Sequence, residues 1–355
     1  MKCMKTILQT LAPISLVILL GAGCFGSSSS SGSDGAVWRT NDSGKTWDQF
    51  SALPSSSGVG SIAGVNVRTI EIDPSDSSTY YIGTESNGLF YTNDYGTTWL
   101  RFEDSRVKEG YVRDIEVNQD TLCTIYVLKS DVVLKSNTCG REWDDVYTET
   151  RSGTSLTALE LDWYSPDTLW LGTSDGDVIK TTDGGDTWNS LYHISGDISD
   201  ILVSNSDSRI VLYATQKDGY RRTTDGGDTW TEVEKELEEE FEDADKIYEM
   251  VQDRLGKTII MRTAYGLIRS YDQGETWEHV DVLTSPGEVV MWGVAMNPEN
   301  PDEIYYGTEG ILYSTTSGGD AWQTEDLPST RLPRAMEVHP DSTEYLIVGF
   351  AAKQD

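Results

Sequence analysis

Apolar and polar residues alternate along most of this chain in short runs separated by turns. Residues 67–92, 156–181 and 292–315 each show an alternating run, a turn rich in Asp, Asn, Pro or Ser, a second run ending in Gly-Thr, another turn and a third run. A period of two residues is typical of β-strands with one buried face. The pattern predicts three antiparallel strands in each of these segments.

A short motif follows the third run at regular intervals. Five full copies are TNDSGKTW (40–47), TNDYGTTW (92–99), TTDGGDTW (181–188 and 223–230) and SYDQGETW (270–277). Two weaker copies, SNTCGREW (136–143) and TTSGGDAW (315–322), carry Thr138 and Ser317 in place of the aspartate. The closing tryptophans lie 42 to 52 residues apart, which is the length of a four-stranded propeller blade.

Seven repeats predict seven blades, and the chain ends predict how the ring closes. Residues 36–40 read as a third strand and 47–50 as a fourth, whereas 334–340 and 344–350 read as a first and a second strand. We therefore expect an all-β fold, a seven-bladed β-propeller over residues 36–355. Its ring should be closed by one blade shared between the N- and C-terminal strands, which leaves no open sheet edge.

The motif S/T-x-D-x-G-x-T-W resembles the Asp-box, or BNR repeat, of sialidases, sortilin-type receptor domains, xyloglucanases and photosystem II assembly-factor propellers. The resemblance covers residues 36–355 and implies the fold, while propellers of this kind serve many functions. We expect the box residues to be structural, because the aspartate can cap backbone N–H groups of a tight turn. These aspartates are Asp42, Asp94, Asp183, Asp225 and Asp272.

The first residues predict export. A basic start is followed by an apolar stretch at 14–20 and by Gly-Ala-Gly-Cys at 21–24, which resembles a bacterial lipobox with Gly21 where leucine is usual. We expect residues 1–23 to be a signal peptide, Cys24 to be lipidated and residues 24–35 to be a flexible tether. The protein would then be a lipoprotein on the extracytoplasmic side of a membrane. A secreted protein with an ordinary signal peptide is the alternative.

Two cysteines remain in the exported part of the chain, Cys123 and Cys139. They lie symmetrically about a predicted hairpin turn near Ser130-Asp131, so they should face each other across two antiparallel strands. An oxidising compartment favours a disulfide between them, and two buried free thiols are the alternative.

The charge balance narrows the possible partners. There are 59 acidic and 27 basic residues, a formal net charge of −32. Such a field repels phosphate backbones and argues against nucleic-acid binding. The histidines follow no metal-ligand spacing and no cofactor motif is present, so we expect neither a metal nor a cofactor. We expect a monomer.

The candidate site comes from aligning the first strands of the seven blades, which should line the central channel. Their second residues include three arginines on neighbouring blades and two aromatic residues expected across the funnel from them: Arg68, Arg113, Arg334, Tyr248 and Trp292. One interpretation is a pocket for an anionic or planar group. The other is a polar channel wall in which the arginines pair with Asp114, Asp200 and Glu249.

Two functions remain open from the sequence. The first is a non-enzymatic binding or assembly scaffold, similar to photosystem II assembly-factor or sortilin-type domains, for a protein or other ligand. The second is an exo-acting glycoside hydrolase or polysaccharide-binding protein, in which Asp114, Asp200 and Glu249 could supply acid and base. The acidic stretch 234–245 is predicted to be a solvated loop or a short helix on the same face as the arginines.

Overall fold

The computed structural model describes residues 34–233 and 235–353, which form seven four-stranded antiparallel sheets and one separate hairpin. The sheets are the blades of a seven-bladed β-propeller, as the repeat predicts. The predicted signal peptide and lipidation site lie outside the described residues. Within the described part of the chain, no helix is long and apolar enough to cross a membrane.

The strands follow the order of the repeats. The N-terminal strands are β1 (Ala36–Thr40), β2 (Asp48–Phe50), β3 (Ala52–Ser55) and β4 (Gly58–Ser61). Blade 1 contains β5 (Val67–Ile72), β6 (Tyr80–Thr84), β7 (Leu89–Thr92) and β8 (Leu100–Arg101). Blade 2 contains β9 (Val112–Val117), β10 (Ile125–Lys129), β11 (Val132–Ser136) and β12 (Asp144–Thr148). Blade 3 contains β13 (Leu156–Leu161), β14 (Leu169–Thr173), β15 (Asp177–Thr181) and β16 (Asn189–His193).

The second half continues in the same way. Blade 4 contains β17 (Ile198–Val203), β18 (Val211–Thr215), β19 (Tyr220–Thr223) and β20 (Thr231–Val233), and the helix α1 (Lys235–Glu240) follows it. Blade 5 contains β21 (Ile247–Gln252), β22 (Ile259–Thr263), β23 (Leu267–Ser270) and β24 (Glu278–His279). Blade 6 contains β25 (Gly293–Asn297), β26 (Asn300–Gly307), β27 (Ile311–Thr315) and β28 (Gln323–Asp326), and the chain ends with β29 (Leu332–Val338) and β30 (Leu346–Ala351).

Blade 7 closes the ring as predicted. Its strand order is β2-β1-β30-β29, so the N-terminal strands supply its outer half and the C-terminal strands its inner half. β1 and β30 pair in antiparallel register with Trp38 opposite Val348. Because the two chain ends are hydrogen-bonded to each other in one sheet, neither end leaves a free inner edge.

Apolar packing between the blades holds the propeller together. The described residues contain seven apolar clusters, one between each pair of neighbouring blades. Close packing between blades explains the glycine near the end of several second strands. A Cβ added at Gly83 would lie 2.7 Å from Val112 of the next blade, and one at Gly349 would lie 2.5 Å from Val67. Glycine at these positions lets the neighbouring first strand approach closely.

The Asp-boxes close the turns between the third and fourth strands. In blade 1, the Asp94 carboxylate accepts hydrogen bonds from Thr92 Oγ1 (2.7 Å), the Thr98 backbone N–H (2.9 Å) and Thr98 Oγ1 (2.7 Å). The other four aspartates make the same set of contacts. In the two weaker boxes, the Thr138 and Ser317 hydroxyls accept the equivalent backbone N–H bond. The boxes are therefore turn caps.

Cys123 and Cys139 form a disulfide with a Cα–Cα distance of 4.0 Å. They lie just beyond the paired strands of the β10–β11 hairpin and are not a strand pair themselves. Cys123 ends the turn before β10, and Cys139 lies in the box turn where Thr138 replaces the aspartate. The backbone N–H of Cys139 donates to the carbonyl oxygen of Cys123 (3.2 Å). The bond thus ties together two turns on one face of blade 2.

Two elements depart from a plain ring of blades. The hairpin β3–β4 is inserted between blades 7 and 1, and the sequence analysis did not predict it. The acidic stretch contains the helix α1, but it is only partly solvated. Leu237 of the helix, and Phe241 and Ala244 in the turns that follow it, are buried against blades 4 and 5.

Candidate functional site in the central channel

The antiparallel blades give the molecule two distinct faces. We call the side on which the first strand of each blade begins the entry face. We call the opposite side, which carries the box turns and the turns between first and second strands, the Asp-box face. The first strands β5, β9, β13, β17, β21 and β29 line the central channel between the two faces.

A β-bulge aims the candidate residues into the channel mouth at the entry face. In β5, Val67 pairs with Thr84 and Thr69 with Gly83, so that Arg68 has no partner in the ladder. The same shift leaves one residue unpaired in the first strands of six blades, the second residue in five of them and the third in β29: Arg68, Arg113, Thr157, Ser199, Tyr248 and Arg334. A bulge re-aims the side chain of its extra residue. These six side chains therefore line one cavity of about 160 Å³.

The three arginines among these six side chains have hydrogen-bond donors that contact no acceptor. The Nε atoms of Arg68, Arg113 and Arg334 are buried and have no hydrogen-bond partner among the described residues. The hydroxyls of Thr157 and Ser199 on the next two blades are likewise buried and unpaired. Buried donors without partners are uncommon in folded proteins, so an acceptor brought by a ligand would find donors already in place here. We call these five side chains the arginine ring.

Aromatic rings support the guanidinium groups from one side. The Arg334 guanidinium lies 4.3 Å from the ring centre of Trp292, and that of Arg113 lies 5.2 Å from Tyr111. Trp292 was predicted to lie across the funnel from the arginines. That prediction is wrong, because Trp292 precedes the first strand of the adjacent blade and stacks directly on Arg334. Tyr248 lines the same cavity and is 40% exposed.

The alternative interpretation, in which the arginines pair with the three channel carboxylates, is not what the structure has. The carboxylates mainly tie neighbouring blades. Asp114 accepts the backbone N–H of Leu159 (3.1 Å), Asp200 that of Met250 (2.6 Å) and Glu249 that of Val294 (3.3 Å). Each donor lies in the first strand of the next blade. Among the salt bridges of the described residues, none joins Arg68, Arg113 or Arg334 to these carboxylates.

The channel environment shifts the ionisation of several groups. Burial raises the pKa of Asp114 to about 6, although bonds from Leu159 and Ile115 and the charges of Arg68 and Arg113 oppose the rise. Burial raises the pKa of Asp200 to about 8. Burial, and then the charge of Arg68, lowers the pKa of Arg334. Like charges are thus held near each other at this mouth, and an anion there would relieve their repulsion.

The sequence analysis missed Arg262, which also lines the cavity. Its Nε donates to Glu249 (2.9 Å), its Nη1 donates to the Met291 carbonyl (2.8 Å), and its guanidinium lies 5.3 Å from the ring of Tyr248. Arg262 stands where other second strands carry the glycine of Gly-Thr. Aligning second strands as well as first strands would have revealed it.

The histidines have structural roles. The Nδ1 atom of His339 accepts backbone N–H bonds from Asp341 and Ser342, as an Asx side chain does in the turns of other blades. His193 and His279 are exposed and contact Asp177 and Asp281. Within residues 34–233 and 235–353, no group of three or more His, Cys, Asp or Glu residues has the geometry to hold a metal ion.

Fold and repeat define the chain as a seven-bladed Asp-box β-propeller with an arginine-lined channel mouth. The sequence model of the family described as photosynthesis system II assembly factor YCF48 matches residues 20–220, more than half of the chain. The chain belongs to this family.

Curated relatives of two kinds match part of the chain. Xyloglucanase Xgh74A of Acetivibrio thermocellus is 26% identical over 161 residues, which cover 44% of this chain and 16% of the enzyme. The photosystem II assembly lipoprotein Ycf48 of Trichormus variabilis is 27% identical over 159 residues, 43% of this chain and 41% of that protein. The match therefore spans less than half the length of either relative.

Solved structures share the fold over a larger part of the chain. YCF48 from Cyanidioschyzon merolae superposes with a TM-score of 0.61 at 16% identity, covering 81% of this chain and 95% of that one. A structure described as YCF48 bound to D1 peptide gives 0.60 at 16% identity, covering 82% and 94%. At this identity the likeness establishes the propeller alone.

Proposed function

We propose that this protein is a non-enzymatic extracytoplasmic scaffold that binds a protein partner through the arginine ring on its entry face. The observation that carries the proposal is the cluster of unpaired donors. Three guanidinium groups and two hydroxyls on five consecutive blades converge on one small cavity. A carboxylate of the partner would satisfy them, because a planar carboxylate matches the fork of an arginine.

The relatives support a polypeptide as the ligand. The family is named for an assembly factor, and a YCF48 protein has been solved with a D1 peptide. We propose that lipidation of Cys24 anchors the protein to a membrane, since Ycf48 relatives are named lipoproteins. Tethering would raise the local concentration of the scaffold beside a membrane-associated partner.

A glycoside hydrolase is the second candidate, favoured by the similarity to xyloglucanases. The contacts of the channel carboxylates argue against a hydrolase. Asp114, Asp200 and Glu249 each accept a backbone N–H from the next blade, and Glu249 is also paired with Arg262. Carboxylates engaged in this way are held as structural ties.

The test is capture of the partner by the purified mature protein from a detergent extract of its native membrane, with the bound protein identified by mass spectrometry. A triple Arg68→Ala, Arg113→Ala, Arg334→Ala variant should bind the captured protein at least about tenfold more weakly, because charge-assisted bonds are worth about 1.5–3 kcal/mol each. The matched control is Arg209→Ala. Arg209 is exposed and pairs with Asp207 on the Asp-box face, so its removal should leave affinity unchanged.

Two results would overturn the proposal. One is a folded triple variant that binds the partner as tightly as the wild type. The other is release of sugars from xyloglucan by the wild-type protein that is lost in Asp114→Asn, which would establish the hydrolase instead. If the alanine variant misfolds, a triple Arg→Lys variant replaces it in the test. Lysine keeps the charge and most of the volume but lacks the bidentate guanidinium fork, so this variant should also bind more weakly.

A further inference from the structure

A second and larger cavity opens at the other end of the channel, on the Asp-box face. Its volume is about 630 Å³, compared with about 160 Å³ for the cavity at the arginine ring. Met336 and Glu337 line both cavities, so the two are successive parts of one channel. The larger cavity differs from the arginine ring in its charge and in its apolar surface.

One side of this cavity is acidic. Four neighbouring first strands, in blades 7, 1, 2 and 3, carry a glutamate three residues after the bulged residue: Glu337, Glu71, Glu116 and Glu160. Glu71 and Glu337 line the cavity directly. The basic residue among its lining residues is Arg254, whose guanidinium is held by Glu299 (2.5 Å) and the Pro340 carbonyl (2.5 Å) at the rim. Glu71 and Glu337 therefore face the cavity without a basic partner among the residues that line it. Glu116 and Glu160 instead accept backbone N–H groups from the next blades.

Blades 5, 6 and 7 supply an apolar part of the cavity wall. Met250, Met296 and Met336 line it together with Val251 and Ala295. Methionine side chains are flexible and adapt to differently shaped ligands. A long side chain with a charged end could therefore pack its methylene groups along this wall while its head group reaches the glutamates.

The rim of the cavity carries exposed apolar side chains. Leu122, Tyr164 and Leu255 are 77%, 72% and 61% exposed. They lie on the turns between first and second strands in blades 2, 3 and 5, and the same turns carry the lining residues Gln119, Trp163 and Arg254. The lining residue Trp163, an edge-to-face neighbour of Tyr164, also borders an adjoining cavity of about 520 Å³. Exposed apolar side chains gathered around a cavity are typical of an interaction surface.

The raised pKa values of Glu71 and Glu337 indicate that a cation in this cavity would interact favourably with both carboxylates. Burial, then the charges of Glu337 and Asp114, raises the pKa of Glu71 well above its usual value. Glu337 is open to the cavity but surrounded by the blades. Its partial removal from bulk water, followed by the charge of Glu249, raises its pKa to about 8. A positive group between these two carboxylates would stabilise their ionised forms.

We propose that the Asp-box end of the channel is a second docking site, which takes a lysine or arginine of a protein partner between Glu71 and Glu337. The residues beside that basic side chain would be apolar and would pack on Leu122, Tyr164 and Leu255. The charge of the cavity selects the basic group, and the three rim turns favour a polypeptide over a free amine. The two cavities share Met336 and Glu337 but open on opposite faces, so the propeller could hold one partner at each face.

The experiment is selection of a phage-displayed library of random twelve-residue peptides on the full mature protein. The expected result is enrichment of peptides with one lysine or arginine flanked by apolar residues. Synthetic copies should bind at least tenfold more weakly to a Glu71→Gln, Glu337→Gln variant. Those glutamines should leave the melting temperature unchanged or higher, because they remove repulsion between buried acids.

Separate variants test the two parts of the surface. Leu122→Ser with Tyr164→Ser should weaken binding of the same peptides. The matched control is Glu309→Gln, which removes an exposed carboxylate paired with Lys353 on the entry face and should leave binding unchanged. No enrichment, enrichment of peptides without a basic residue, or equal affinity for the glutamine variant would each overturn this proposal. None of these outcomes bears on the arginine ring, which is tested by its own variants.

Discussion

At the scale of single residues, one repeated side chain does most to fix the turns of the propeller. Each box aspartate accepts one backbone N–H and two hydroxyl bonds, and the two weaker boxes keep the backbone bond with a hydroxyl alone. Burial raises the pKa of Asp94, but hydrogen bonds from Thr92 and Thr98 outweigh it and leave the pKa below its usual value. The ionised form is therefore the one that the turn stabilises.

We predict that Asp94→Ala lowers the free energy of unfolding by about 1–3 kcal/mol, because it leaves the Thr98 N–H and two hydroxyls without their acceptor. Urea unfolding followed by tryptophan fluorescence measures the change. The matched control is Ser317→Ala in a weaker box, where two neutral bonds, to the Ala321 N–H and the Thr315 hydroxyl, are lost and a smaller change of about 1 kcal/mol is expected. An equal loss in both variants would mean that the carboxylate contributes nothing beyond the bond to its backbone donor.

At the scale of elements, small irregularities in the strands decide which side chains reach the channel. The bulge in the first strands places Arg68, Arg113 and Arg334 at one mouth, and glycine in the second strands lets the blades approach. The disulfide acts at the same scale. It links the turns on either side of the β10–β11 hairpin in blade 2, one of the two blades whose box lacks its aspartate.

Replacing both Cys123 and Cys139 by serine should lower the free energy of unfolding by about 3 kcal/mol, the value expected for closing a loop of this length. The two residues are 16 apart in sequence. The measurement is the urea midpoint of the double variant against the oxidised wild type. A reductant should shift the wild type in the same direction and leave the double variant where it is. If the double variant has the wild-type midpoint, the bond is not a stabilising link.

At the scale of the whole molecule, opposite charges are separated along the channel. Arginines gather at the entry face and glutamates near the Asp-box face. Burial raises the pKa of both Asp200 and Glu337 to about 8, so the folded protein retains protons that these groups lose on unfolding. The Asp-box aspartates behave in the opposite way. Hydrogen bonds, led by that of the Thr187 hydroxyl, lower the pKa of Asp183 to about 2.

These shifts predict how stability depends on pH. Groups with raised pKa values stabilise the fold fully below their unfolded pKa, near pH 4, and this contribution is lost as the pH rises towards 8. Groups with lowered pKa values stabilise the fold above pH 4, and their contribution to stability is lost as the pH falls towards 2. The melting temperature should therefore be highest near pH 4–5 and fall on both sides.

Calorimetry at a series of pH values and constant ionic strength tests this profile. In Glu337→Gln the decline between pH 5 and 8 should be shallower, because glutamine does not titrate. A melting temperature that rises steadily from pH 5 to pH 8 in the wild type would contradict the prediction.

Much of this protein was predictable from its sequence. The period of two along each strand and the recurring Asp-box determined seven four-stranded blades, and the strand types at the two ends determined the shared blade. Both signals are local and repeated, so each copy reinforces the others. The position of Arg68, Arg113 and Arg334 on neighbouring blades followed from the same alignment.

Only the tertiary structure decided what those residues contact. The bulges, the stacking of Trp292 on Arg334 and the pairing of Arg262 with Glu249 depend on strand register and on contacts between blades. The sequence predicted carboxylates beside the arginines. In the structure, the oxygens of these carboxylates accept hydrogen bonds from backbone N–H groups of the next blade. Local patterns determine secondary structure and repeat number, whereas the partner of a channel side chain is set by residues more than forty positions away.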